Sequence, residues 1–234
     1  MSNNSKNRKV LLVYPRHPET FWSFTHILRI LGKKAAFPPL GLLTVASMLP
    51  DNWEKKLIDM NCDDLRDQDI KWADLVFISA MIVQKKSAQE VISKVKKIGK
   101  PIVAGGPLFT TGWEEFPEVD HIVLGEAEAI LPKFLSDIEN GLTERIYSSK
   151  EFPDIRKTPV PDWSLIDLKK YNSMCIQSSR GCPFDCEFCD VVRLNGRNPR
   201  VKSGGQIISE LESLYKAGWR GGVFFVDDNF IGNR

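Results

Sequence analysis

Apolar runs of strand length alternate with helix-period stretches along the first 140 residues of the chain. Lys9 to Tyr14 (KVLLVY) is a continuous apolar run ended by Pro15, which reads as a buried strand. An unusually aromatic loop follows, from Arg16 to Phe24. Pro38-Pro39 then opens a predicted helix over Leu40 to Leu49, proline being tolerated in a first turn. Lys56 to Met60 is a second strand. Ala73 to Met81 (ADLVFISAM) is a third, apolar on both faces as a central parallel strand requires. From Gln84 to Ile98 the apolar residues Ala88, Val91, Ile92, Val95 and Ile98 keep a helical period. Pro101 to Ala104 is a fourth strand and runs into Gly105-Gly106-Pro107. His121 to Leu124 is a fifth, followed by Gly125-Glu126-Ala127-Glu128 and a helix to about Ile138.

Strands alternating with helices predict an α/β fold with a doubly wound parallel sheet over residues 1–147, closed by Glu139-Asn140-Gly141. Such sheets bind ligands at the carboxyl ends of their strands. Three of those loops are small and polar here: Ser79-Ala80-Met81, Gly105-Gly106-Pro107 and Gly125-Glu126. Glycines there let a large flat ligand lie against the backbone, and they serve equally as tight strand-to-helix turns. The first turn lacks G-x-G-x-x-G, which argues against a dinucleotide site.

Residues 148–172 hold Pro153, Pro159 and Pro161, show no period, and read as a linker that Trp163 and Leu165 would pin to one domain. A second unit is expected over 173–234. Ser173 to Ser178 is a strand, Ser203 to Ala217 a helix with Ile207, Ile208, Leu211 and Leu214 in period, and Gly222 to Val226 (GVFFV) a strand. Acidic residues at its end, Asp227 and Asp228, complete the opening of a (β/α) barrel, whose active sites gather at that face. Asp228-Asn229 would equally cap a following helix. Only 62 residues (234 minus 172) follow residue 172, against roughly 250 for a full barrel. The chain is therefore expected to be the front portion of a longer protein.

Composition is that of an ordinary globular chain: 42% hydrophobic, 26% charged, net charge +2. The near-neutral balance argues against a nucleic-acid binder that relies on a basic surface. No apolar run approaches the roughly 20 residues of a transmembrane helix, and the polar start, Met1 to Arg8, is not a signal peptide. A reduced, cytoplasmic setting is expected.

The chemistry concentrates in Gly181-Cys182-Pro183-Phe184-Asp185-Cys186-Glu187-Phe188-Cys189, which carries three of the five cysteines as C-x3-C-x2-C. Three thiolates on one tight loop hold three corners of a metal centre and leave the fourth to something other than protein. Structural zinc closes its shell with four Cys or His ligands, usually as two pairs. No second CxxC pair exists, and the nearest histidine is His121. Iron–sulfur ligation is thus the first reading and zinc the alternative. A disulfide plus a spare thiol would need an oxidising compartment. Cys62 and Cys175 read as structural thiols.

With an aromatic just before its last cysteine, Cys182-x3-Cys186-x-Phe188-Cys189 resembles the signature of the radical S-adenosylmethionine (SAM) superfamily. The resemblance implies that Cys182, Cys186 and Cys189 bind three irons of a 4Fe-4S cluster and that SAM chelates the fourth. An electron donor reduces the cluster, which cleaves SAM to a 5′-deoxyadenosyl radical. Phe188, Asp227 and Asp228 would lie near SAM, an aspartate accepting from its amine, and Arg180 would offset cluster charge or touch SAM.

Upstream of that motif, the sheet is similar to the cobalamin-binding domain that precedes many radical SAM methyltransferases. Ser79, Gly105, Gly106, Gly125 and Glu126 then stand where that family contacts the corrin and its nucleotide tail. One departure is the missing Asp-x-His-x-x-Gly motif. His17 sits instead in Pro15-Arg16-His17-Pro18 and reads as an exposed loop histidine, so no protein imidazole is expected on the cobalt. The resemblance extends along the chain to the family that includes the hopanoid C-2 methylase. It is carried by Thr20-Phe21-Trp22-Ser23-Phe24, Ala104-Gly105-Gly106-Pro107, Gly125-Glu126-Ala127-Glu128, the cysteine loop and Val226-Asp227-Asp228-Asn229-Phe230, of which only the cysteine loop is highly specific. It implies methyl transfer from cobalamin to an unactivated carbon of a small-molecule or lipid-like substrate, after the radical takes a hydrogen. A radical rearrangement or cyclisation without methyl transfer, and a non-catalytic cofactor-binding module, are the alternatives.

Overall fold

The structure, a computed structural model, describes residues 6–20 and 23–230. In chain order its elements begin β1 (Lys9–Tyr14), α1 (Thr25–Ile30), α2 (Leu40–Met48), β2 (Glu54–Asp59), α3 (Asp67–Trp72), β3 (Leu75–Ser79) and α4 (Lys85–Ile98). They continue with β4 (Ile102–Gly105), α5 (Pro107–Gly112), β5 (His121–Leu124), α6 (Ala127–Asn140) and β6 (Ile146–Ser148). The six strands form one parallel sheet in the order β2-β1-β3-β4-β5-β6. Val10, Leu11, Leu12 and Val13 of β1 are all fully buried, because helices cover both faces and water reaches neither side of a central parallel strand. Leu11, Val13, Val76 and Ile102 pack against Ile70 of α3, Val91 of α4 and Phe109 of α5. The opposite face, with Val10, Leu12, Phe77 and Val103, packs against Leu42 of α2 and Leu131 and Phe134 of α6.

Several short elements lie beyond what the sequence pattern predicts: β6, α1, α3 and α5 here, and Ser179–Arg180, Val191–Asn195 and Arg200–Val201 further along. The sheet does not end at Glu139-Asn140-Gly141: β6 adds a sixth strand beside β5, pairing Ile122 with Ile146, and Tyr147 is buried edge-on to Phe134. Helices α3 and α5 are six residues each, less than two turns, too short for a 3.6-residue period to stand out.

Residues 148–172 lack a period because they fold as successive turns rather than as a free chain. Asp154, Asp162 and Asp167 each accept from the backbone N–H two residues on and start a single 3₁₀ turn, the local bonding that aspartate favours. Ile155, Trp163 and Tyr171 are buried along this strap. Trp163 Nε1 donates to Ser213 Oγ at 3.0 Å, and the Tyr171 hydroxyl donates to Asp59 Oδ2 at 3.1 Å.

The second unit contains β7 (Met174–Ile176), β8 (Ser179–Arg180), α7 (Val191–Asn195), β9 (Arg200–Val201), α8 (Gly204–Lys216) and β10 (Val223–Phe225). β7 and β10 pair in parallel, with Met174 opposite Val223, and α8 makes the crossover, capped by Ser203 accepting from the Gln206 N–H. A third core joins this unit to the sheet domain: Leu43, Trp163, Tyr171, Met174, Ile176 and Leu214. Helix α2 is therefore covered on two sides, Leu42 and Ala46 facing the sheet and Leu43 facing the second unit. That double burial explains why its sequence, LGLLTVASM, is apolar all round rather than striped. Among the described residues no helix is long and apolar enough to cross a membrane.

Two predictions follow from this packing. Leu43→Ala is expected to lower stability by about 2–5 kcal/mol, measured as a drop in urea midpoint. Asp59 is only 3% exposed, and burial pushes its carboxyl above the ordinary value of 3.8 despite bonds from Asn61 and Tyr171. A raised folded-state pKa means that this group's contribution is complete below 3.8 and is lost as pH rises through the raised value. The urea midpoint of Asp59→Asn minus that of the parent should therefore increase with pH across that window, and a pH-independent difference would contradict the assignment.

Candidate functional site

At the carboxyl edge of the sheet a narrow cleft lies between the strands and helices α2 and α6. Ser79, Gly105, Gly106 and Gly125 are among its lining residues, and its walls include Val45, Phe77, Val103, Ala127 and Leu131. Four of the five positions proposed from sequence to meet cobalamin are thus brought to one place. Ser79 and Gly105 are direct partners in the β3–β4 register. Gly106 has φ +88°, and a Cβ there would lie 2.7 Å from Ser79 Oγ and 3.2 Å from the Ala80 carbonyl. The turn itself requires this glycine, whatever binds above it. Gly125, at φ +105°, donates its N–H to Thr110 Oγ1 at 3.1 Å. Apolar walls with a few backbone polar groups at the rim are the usual lining of a small-molecule site.

The cysteine loop hangs between β8 and β9, an antiparallel ribbon in which Ser179 pairs with Val201 and Arg180 with Arg200. Gly181 enters the loop at φ +94°; a Cβ there would lie 2.8 Å from the Asn198 carbonyl. Its N–H donates to Asp228 Oδ2 at 2.9 Å, which also accepts from Asn195 Nδ2 at 2.8 Å. The Cys182 N–H donates to the Gly196 carbonyl at 3.1 Å. Asp227 accepts from the Ser178 N–H at 2.6 Å, from Ser179 Oγ at 3.1 Å and from the Ser178 hydroxyl. The two aspartates at the tip of β10 thus brace the root of the cysteine loop. Asn229 extends the brace, its amide donating to Cys182 Sγ at 3.5 Å.

Beyond that root the loop opens to solvent. Cys182 is half-buried, Cys186 and Cys189 are exposed, and all three are free thiols. Phe188 is 93% exposed. The thiols share the loop, but among the described residues no group of three Cys, His, Asp or Glu side chains converges on a metal-sized position. As a donor set, three unpaired thiols fit a soft cluster.

Several side chains sit differently from expectation. Arg180 turns from solvent, its side chain 14% exposed, donating to Glu126 Oε2 at 2.7 Å and Gln177 Oε1 at 2.7 Å and pairing with Glu128 Oε1 at 2.8 Å. Glu126 follows the cleft glycine, yet its side chain is 7% exposed and committed to Arg180 and to Arg200, the latter at 2.5 and 3.0 Å. Burial would raise the Glu128 carboxyl, but the neighbouring Arg180 guanidinium and a bond from Thr158 outweigh it and hold it below the usual carboxylate range. His17 is half-buried rather than exposed, its Nε2 3.3 Å from the Tyr14 hydroxyl, and burial lowers its pKa. Cys62 and Cys175 behave as structural thiols, burial pushing each up to about 12. Phe21 and Trp22 of the aromatic loop lie outside the described residues. Arg200 and Thr158 carry no signal in the sequence, since their roles arise from contacts 74 and 30 residues away.

Residues 33–135 match the B12 binding domain family. The chain is 46% identical over 228 residues to an uncharacterized methyltransferase of Synechocystis sp. (strain ATCC 27184 / PCC 6803 / Kazusa), a match covering 97% of this chain and 42% of that protein. It is 36% identical over 233 residues to the hopanoid C-2 methylase of Rhodopseudomonas palustris (strain TIE-1), covering 97% of this chain and 44% of the relative. In fold it is similar to the radical S-adenosylmethionine methyltransferase TsrM from Kitasatospora setae, solved with cobalamin and a [4Fe-4S] cluster bound. The TM-score is 0.66 at 19% identity, over 96% of this chain and 50% of that one. The chain spans less than half the length of the first two relatives.

Asp228→Ala should leave the Gly181 N–H and the Asn195 amide without their acceptor and favour local opening of the loop by about 1–3 kcal/mol. In the metal-free chain this is expected to speed alkylation of Cys182 while leaving Cys186 and Cys189 unchanged, as read by mass spectrometry of iodoacetamide adducts. Equal rates at Cys182 in parent and variant would show that Asp228 does not hold the loop.

Proposed function

We propose that this chain, a member of the cobalamin-binding radical SAM family that includes the hopanoid C-2 methylase, is the cofactor-holding portion of a radical SAM methyltransferase. Residues 1–147 form the cobalamin unit, 148–172 the join, and 173–234 the start of a radical SAM barrel. Cys182, Cys186 and Cys189 hold three irons of a 4Fe-4S cluster. Cluster, SAM and cobalamin, when bound, supply the radical and the methyl group for transfer to an unactivated carbon. Ser79, Gly105, Gly106 and Gly125 bed the cobalamin against backbone, and the apolar walls of the cleft keep water from it. Phe188, exposed beside Cys189, covers SAM. Asp227 and Asp228 act on SAM through the loop they brace, with their oxygens already engaged by Ser178, Ser179, Gly181 and Asn195. The substrate of the whole enzyme is a small molecule or lipid-like compound, reached in the cytoplasm and served by a separate electron donor.

The observation that carries this reading is the adjacency of the glycine-rimmed cleft and the cysteine loop. The rim of the cleft at Gly125 is followed by Glu126, whose carboxylate meets Arg180 at the root of the cysteine loop at 2.7 Å. The test is anaerobic reconstitution with iron and sulfide, followed by hydroxocobalamin. About four irons per chain are expected, and Cys182→Ala, Cys186→Ala and Cys189→Ala should each abolish them. Leu131→Trp fills the cleft and should remove corrin absorbance from the purified chain while leaving the iron. A colourless protein holding one zinc would overturn the proposal, and release of deoxyadenosine without methyl transfer would favour a rearrangement enzyme.

A further inference from the structure

We infer that Glu126 is a positioning residue that couples occupancy of the glycine-rimmed cleft to the pose of the cysteine loop, an inference that rests on the cobalamin reading above. Arg180 and Arg200 are direct partners across the β8–β9 ribbon, and like charges opposed across an antiparallel pair repel. Their side chains are only 14% and 18% exposed, so water screens them little. The Glu126 carboxylate meets both, Oε2 with Arg180 at 2.7 Å and Arg200 at 3.0 Å, and Oε1 with Arg200 at 2.5 Å. Glu128 adds the second negative charge at Arg180. Two acids against two bases leave the group neutral, and removing the Glu126 charge leaves two opposed arginines with one acid, Glu128, which pairs with Arg180 alone.

The ribbon that this carboxylate stabilises is two residue pairs long, and residues 181–199, with all three loop cysteines, hang from it. A ribbon so short has little stability of its own. On its other side Glu126 is joined to Gly125, whose φ of +105° belongs to a glycine-only turn on the cleft. The backbone that a corrin would press on and the carboxylate that anchors the cysteine loop are thus consecutive residues. A ligand that fixes Gly125 also fixes Glu126 and, through the two arginines, the base of the loop. Linkage is reciprocal: assembly of the cluster must tighten cobalamin binding by the factor by which cobalamin favours the cluster-ready loop.

The experiment compares the dissociation constant of hydroxocobalamin, by absorbance titration, for the chain before and after cluster reconstitution. The parent is expected to bind at least about fivefold more tightly with the cluster, the lower end of ordinary coupling. Glu126→Gln, which keeps the shape and removes the charge, should bring the two constants within about twofold, a change a purely structural residue would not produce. A variant that fails to load iron is read instead by alkylation. Hydroxocobalamin should slow labelling of Cys182 in the metal-free parent and leave it unchanged in Glu126→Gln. Equal constants in the parent, or a parent-like ratio or parent-like protection in the variant, would overturn the coupling alone. A parent that binds no hydroxocobalamin would overturn the cobalamin reading and the coupling with it.

Discussion

A single carboxylate, from the turn after β5, lies between two arginines that face each other across a short ribbon. Without it Arg200 would face Arg180 across the ribbon with no carboxylate of its own, Glu128 pairing with Arg180 alone, in a poorly screened setting. Glu126 is nearly enclosed, so its pairing is of the kind in which loss of one partner is far more damaging than the net worth of the pair. Everything proposed for the site assumes this contact, because it sets the thiol-bearing loop beside the glycine rim. The aspartates at the end of β10 complete the arrangement from the other side. Asp227 gathers the Ser178 N–H and the hydroxyls of Ser178 and Ser179, and Asp228 holds the Gly181 N–H. The loop is thus clasped at its root from two elements and open at its tip.

Much of the sheet domain was legible from pattern alone. Lys9–Tyr14 and His121–Leu124 read as strands with their observed bounds, because short continuous apolar runs between punctuating residues leave little choice. The gathering of Ser79, Gly105, Gly106 and Gly125 was also legible, since strands of a parallel sheet deliver their carboxyl ends to one edge. What escaped was of two kinds. Elements of three to six residues, β6, α3 and α5, are shorter than the window a period needs. Side-chain destinations were the other: Glu126, next to a glycine at the sheet edge, reads as a ligand contact, and only the fold shows its carboxylate turned toward Arg200. Arg180 next to a cluster motif reads as a counter-charge to the cluster, and only the fold shows its pairing with Glu126 and Glu128. Charge beside a cofactor motif says that a counter-charge exists, without saying whose it is.

Glycine was ambiguous in a way the geometry resolves. At Gly106 a methyl group would collide with Ser79 and Ala80 before meeting any ligand, so that glycine is explained by the turn alone. At Gly181 the collision is with the carbonyls of the 195–198 segment, so the first residue of the cysteine motif is fixed by the segment leading to β9. Neither glycine is by itself evidence of a cofactor. The apolar cleft and the three free thiols are the better witnesses.

Helix α2 is wedged between two cores, with Leu42 and Leu43 on adjacent positions answering to different halves of the chain. Sequence drift in either half is consequently felt by the other. A larger residue opposite Leu43 in the second unit shifts the helix whose next side chain supports the sheet beneath the cleft. The two halves are for that reason poor candidates for exchange with unrelated partners, and their sequences are expected to change in step rather than independently.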